Sequence, residues 1–182
     1  FGPPPILLGG FGPRMIRVAA EVADGLIIHP FNSRRSVQEL ILPIIDSARA
    51  RDTDDPAKPF ELLWIINVIG WTDEAQRESL VSMLKAQLAF YSSTPAYSGV
   101  LDLHGYGDLH PEMKALTKAG KWDEMSARFP DELVDELAVT GHVDDLASII
   151  SARIAGITDS VGLVNAFTSD LAIFDGLPQA IR

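Results

Sequence analysis

The sequence contains no cysteine. That absence excludes disulfides, thiolate metal sites and cysteine nucleophiles at once. A basic surplus is also missing, since the formal net charge is −10. A general nucleic-acid binder needs a positive footprint, so that class of partner is not expected. Apolar runs of membrane-spanning length, roughly 20 residues, are lacking, and no membrane partner is expected. The four histidines, His29, His104, His110 and His142, are scattered, and none forms the i, i+4 pair of a helical zinc site. No metal is therefore expected. The amino-terminal Phe1-Gly2-Pro3-Pro4-Pro5 has neither a basic region nor a signal-peptide core. It reads as the interior of a longer protein, with a cytoplasmic location as the corresponding expectation.

What is present is a globular composition, 47% hydrophobic and 22% charged over 182 residues. That is ample for one core, and residues 1–182 are expected to form a single domain. Short continuous apolar runs bounded by Pro and Gly read as buried parallel strands. Ile6-Leu7-Leu8 and Leu26-Ile27-Ile28 are two, Glu61 to Gly70 a longer third, and Ser160 to Val164 a fourth. Each is followed by a helical pattern. Pro13 suits the first position of a helix that ends at Asp24-Gly25. Ser33 caps a helix over 35–51, which Pro43 kinks or divides. A polar loop follows from Asp52, and Asp73 starts a helix reaching Ser92.

Over 93–130, repeated Pro and Gly break the chain into pieces too long for a plain loop, so short helices are expected in this insertion. Helices are then expected over 131–137 and 143–154, with only a brief apolar link to Gly141 between them, and a closing helix from Thr168. Alternating β and α with buried strands predicts an α/β fold with a parallel sheet. The units are enough for half of a (β/α)8 barrel, which typically takes about 250 residues. A doubly wound sheet satisfies the same count.

Three segments carry a family resemblance. Pro4-Pro5-Ile6-Leu7-Leu8-Gly9-Gly10-Phe11-Gly12-Pro13-Arg14-Met15, with Ala20-Glu21-Val22-Ala23-Asp24-Gly25-Leu26-Ile27-Ile28-His29-Pro30 after it, is similar to luciferase-like monooxygenases, and more narrowly to their coenzyme F420-dependent oxidoreductase branch. Phe90-Tyr91-Ser92-Ser93-Thr94-Pro95-Ala96-Tyr97, followed by Leu103-His104-Gly105-Tyr106-Gly107-Asp108, is the second match. Val139-Thr140-Gly141-His142-Val143-Asp144-Asp145 is a weaker third, with His142 and Val143 where the family has a small residue and Pro. The resemblance implies a luciferase-type TIM barrel of which this chain is the carboxy-terminal four β/α units. It also implies coenzyme F420, or alternatively FMN, as the cofactor of hydride transfer to or from a small organic substrate.

The residue chemistry fits those roles. The turn of Gly10, Phe11, Gly12 and Arg14 lies between a strand and a helix, where glycines admit a ligand and helix N–H groups face a phosphate. In the resembling family this turn borders the cofactor's phosphate tail; a tight turn alone would need the same glycines. His29 directly follows a strand and is placed for acid–base or hydrogen-bonding work, or for capping the strand end. Phe31 and Asn32 continue its loop, and Tyr97 and His104 lie in the insertion, as substrate-side candidates. Asn67, polar within an apolar strand, is read as a core amide. The rival function is a non-catalytic half-barrel serving as an oligomerisation or scaffold module. Either way the chain is expected to form a homo-oligomer or to pair with a missing amino-terminal half.

Overall fold

The computed structural model describes residues 2–50, 59–165, 167 and 174–181. The polar loop expected from Asp52 and the helix start expected at Thr168 lie outside them. The chain opens with strand β1 (Leu7–Gly10), helix α1 (Pro13–Val22) and strand β2 (Gly25–Ile28). A continuous helical stretch follows, made of α2 (Arg34–Ser36), a π-helical turn (Val37–Ile41) and α3 (Leu42–Arg49). Ser33 caps it through reciprocal bonds with Ser36. The π turn resolves how the segment accommodates Pro43: α3 restarts with the proline in its first turn, where the missing N–H has no bond to make.

Strand β3 (Glu61–Trp71) and helix α4 (Glu74–Ser92) come next, with Asp73 capping α4 by accepting from the Gln76 N–H. A 3-10 turn (Pro95–Tyr97) leads to α5 (Ser98–Leu103), α6 (Leu109–Ala119), α7 (Trp122–Arg128) and α8 (Asp131–Leu137). The chain continues through β4 (Ala138–His142), α9 (Leu146–Ile154), β5 (Ser160–Val164) and a short α10 (Leu177–Ala180). No helix among the described residues is long and apolar enough to cross a membrane.

All strand pairs are parallel: β1 with β2, β2 with β3, and β3 with both β4 and β5. Leu63 bridges to Ile27 and Ser160, and Asn67 to Val164 and Ala138. β5 therefore lies on the edge of β3 away from β2, while β4 extends the β2 side beyond the end of β2. This β4 replaces the apolar link expected before Gly141. Its five residues are too few to declare a period, and β3 is long enough to offer them an edge.

Strand order along β1, β2, β3 and β5 follows chain order, without the reversal of a doubly wound sheet. Leu26, Ile28, Leu62, Trp64, Ile66 and Val68 point to one face, buried under α1, α3 and α9. The register places Leu7, Ile27, Leu63 and Ile65 on the opposite face, where they remain only partly covered. Helices from the insertion gather over the carboxyl ends of the strands. There Phe31, Ile69, Leu84, Leu88, Met113 and Phe129 form a second core. Among the described residues the sheet is thus covered by crossover helices on one face and capped at one end on the other.

Candidate functional site at the carboxyl ends of the strands

The site starts from the turn after β1. Gly12 is the N-cap of α1 with φ 81° and ψ 158°, a conformation essentially restricted to glycine. A Cβ on Gly10 would come within 3.2 Å of the Met15 Cβ, so this turn packs tightly on its own helix. Among the described residues no side chain caps α1, and no acidic residue lies in its first turn. The first-turn N–H groups of Arg14 and Met15 have no intrahelical acceptor, and the Arg14 side chain is exposed beside them. A cavity of about 210 Å³ adjoins the turn, lined by Phe11, Ile16, Asn32, Leu40, Ile41 and Val100 among others. A larger cleft, about 980 Å³, runs along β5 instead and shares none of these lining residues.

His29 follows β2 on the partly covered face, because side chains alternate and Ile27 points that way. The Phe31 N–H donates to His29 Nδ1 at 3.1 Å, and Tyr97 Oη lies 3.2 Å from Nε2. Nδ1, as an acceptor, carries no hydrogen. The neutral ring therefore bears its proton on Nε2 and donates it to Tyr97 Oη. Burial pushes the His29 pKa below the ordinary histidine value, which favours this neutral form. Burial raises the Tyr97 phenol, and neighbouring Tyr91 adds to the effect.

Aromatic rings enclose this pair. The Phe11 ring lies 4.3 Å from Tyr97 and 5.7 Å from His29, centre to centre. Tyr91 meets His29 edge-on at 5.2 Å, and Phe31 stacks on Tyr97 at 5.4 Å. Phe11, His29 and Tyr97, picked from three separate stretches of sequence, thus share one cluster. Phe31 is fully buried beneath it. The amide of Asn32 is also buried, its Nδ2 donating to the His29 carbonyl at 3.0 Å and its Oδ1 accepting from Ser36 Oγ at 2.9 Å. These two residues hold the His29 loop from below. His104 sits farther out, with Nε2 2.8 Å from Ser33 Oγ. Burial lowers its pKa; Glu136 and Glu39 oppose the shift and Arg35 reinforces it.

One polar residue gains a different meaning. Asn67 is 2% exposed, as a core amide should be, yet its Nδ2 has no hydrogen-bond partner among the described residues. The strand register places it on the same face as Leu63 and Ile65, toward the carboxyl end. Its signal in the sequence was the interruption of an apolar strand at a position of that face. Among the described residues no cluster of acidic, histidine or cysteine side chains suits a metal ion.

The model of the luciferase-like monooxygenase family matches residues 2–159. The chain belongs to that family. An uncharacterized protein of Mycobacterium tuberculosis is 37% identical over 158 residues, covering 87% of this chain and 46% of that protein. A putative coenzyme F420-dependent oxidoreductase of the same organism is 27% identical, covering 85% of this chain and 45% of its own length. Among solved structures, the coenzyme F420-dependent tetrahydromethanopterin reductase from Methanopyrus kandleri aligns with a TM-score of 0.71 at 15% identity, over 97% of this chain and 50% of that one. At that identity the likeness shows the fold, an α/β arrangement with a parallel sheet. This luciferase-like chain spans about half the length of the curated relatives it matches.

Proposed function

We propose that the chain is the carboxy-terminal half of a luciferase-like (β/α)8 barrel and contributes a site for coenzyme F420, with FMN as the alternative, in an oxidoreductase acting on a small organic substrate. The uncapped, glycine-built amino terminus of α1, opening beside His29 at the carboxyl ends of the strands, carries this reading. In barrels of this architecture that end holds the active site.

The residues fit such a group. Gly10 and Gly12 bring backbone close to a ligand, and the free first-turn N–H groups with Arg14 suit a phosphate tail. Phe11 leads from that turn to the His29–Tyr97 pair. When bound, the deazaflavin or flavin ring supplies the hydride chemistry. The chain's own residues orient it and exclude water: Phe11, Tyr91 and Tyr97 wall the mouth, and Phe31 and Asn32 fix the loop that presents His29. His104, through Ser33, holds the insertion against that loop on the substrate side.

The half-barrel reading is supported by the partly covered face of Leu7, Ile27, Leu63 and Ile65. It is also supported by β1 and β5, each paired on one edge only among the described residues. A complementary half would cover both edges and that face. The scaffold reading is not favoured, since relatives carry oxidoreductase names.

The test is an equilibrium titration of the chain with F420 and with FMN, followed by absorbance and fluorescence. Saturable binding of F420 at micromolar concentration, weakened by Arg14→Ala, is expected. Binding of neither compound removes the cofactor site from this half.

A further inference from the structure

Both nitrogens of His29 are engaged within the protein. Nδ1 accepts from the Phe31 N–H and Nε2 faces Tyr97 Oη. A histidine held this way has no free ring atom for a ligand. The free hydrogen in the pair is the phenolic one of Tyr97, whose oxygen has no other hydrogen-bond partner among the described residues. Tyr91 repeats the arrangement. Its Oη accepts from Gln87 Nε2 at 3.1 Å, which leaves its own hydrogen without a partner among the described residues, and its ring lies 6.0 Å from that of Tyr97. Two phenols beside His29, their rings adjacent to one another, therefore have their oxygens supplied by N–H donors and their O–H groups available.

From this we infer that His29 is a positioning residue, and that Tyr97, seconded by Tyr91, is the ligand-facing donor of the site, suited to a neutral or developing-negative oxygen acceptor such as a carbonyl oxygen. The inference rests on the proposed substrate mouth but not on the identity of the cofactor. A phenol whose oxygen already accepts a hydrogen bond is a stronger donor through its own hydrogen, because bonds in a chain polarise one another. Preorganised donors aimed at an oxygen that gains charge are what reduction of a carbonyl requires. His29 serves by fixing the direction of the Tyr97 hydroxyl, and the Phe31 N–H serves by fixing the tautomer of His29.

The test uses the full chain with labelled histidine and tyrosine. Nitrogen chemical shifts should report a neutral Nε2–H tautomer for His29. Titration with cyclohexanone, chosen as a simple carbonyl probe, should move the Cζ resonance of Tyr97, whereas methylenecyclohexane, of similar shape without the oxygen, should not. Tyr97→Phe should weaken cyclohexanone binding about fivefold to tenfold with a native amide spectrum. His29→Gln, which keeps an N–H donor near Tyr97, should retain more of the affinity than His29→Ala. An Nδ1–H tautomer, or Tyr97 signals that do not respond to cyclohexanone, overturns the inference. F420 binding is measured separately, so loss of the cofactor reading and loss of this one are distinguishable.

Discussion

The imidazole of His104 and the hydroxyl of Ser33, 71 residues apart, meet at 2.8 Å. Ser33 also accepts from the Ser36 N–H at 2.9 Å, so one hydroxyl both caps a helix and anchors the insertion. Arg35 adds a second tie by donating to the Leu103 carbonyl at 2.9 Å. Ser33→Ala should lower stability by about 1–2 kcal/mol, the usual cost of a lost cap with a second partner left unpaired. His104→Ala should cost about 1 kcal/mol. Urea unfolding measures both, and faster amide exchange over residues 98–103 should accompany either change.

Acid sensitivity follows from the two half-buried imidazoles of His29 and His104. Burial holds the pKa of His29 and of His104 below the ordinary value of about 6.5. The unfolded chain therefore binds more protons than the folded one between the folded pKa and about 6.5. Stability contributed by keeping these rings neutral is fully present above about 6.5 and is lost as pH falls through the folded values. Urea midpoints should thus decline from pH 7 toward pH 5. The double variant His29→Gln with His104→Gln should flatten that decline; an unchanged slope would assign the sensitivity to other groups.

Two glycines separate close packing from open space. A Cβ on Gly25 would lie 2.4 Å from the Glu61 carbonyl oxygen and 2.9 Å from Leu7 Cγ, so it would force β2 away from its neighbours. Gly25→Ala should destabilise by about 3 kcal/mol or prevent folding. Gly9, on the partly covered face, has nothing among the described residues within 4 Å of such a Cβ. Gly9→Ala should stay within about 0.5 kcal/mol of the parent. Thermal melts of the two variants side by side test the strand packing directly.

The partly covered sheet face makes a prediction about association. Leu63 and Ile65 point to it from the central strand β3. An apolar sheet face without a partner promotes self-association. Sedimentation should show concentration-dependent oligomers, and Ile65→Lys should reduce them. A monomer at every concentration would contradict the half-barrel reading of this face.

Much of this was legible in the sequence, and the gaps have physical causes. β1, β2, β3 and β5 announce themselves because buried parallel strands are continuous apolar runs. β4 does not, since its status depends on the far end of β3 rather than on its own five residues. Pro43 signalled an interruption, but the π turn before it is a local accommodation that no periodicity encodes. Phe11, His29 and Tyr97 were each visible as strand-end or insertion residues. Their mutual contact was not, because His29 and Tyr97 are 68 residues apart and are joined only by the docking of the insertion. Asn67 was noticed, yet its unpartnered nitrogen depends on neighbours that the sequence does not display.

The central claim is that the turn of Gly10 to Arg14 and the mouth at His29 form part of one cofactor site. An amide-resolved nuclear magnetic resonance titration of the chain with F420 tests it most directly. The account predicts saturable shifts confined to residues 10–14, 29–32 and 91–97. Shifts clustered along the cleft beside β5, or none at all, would contradict it.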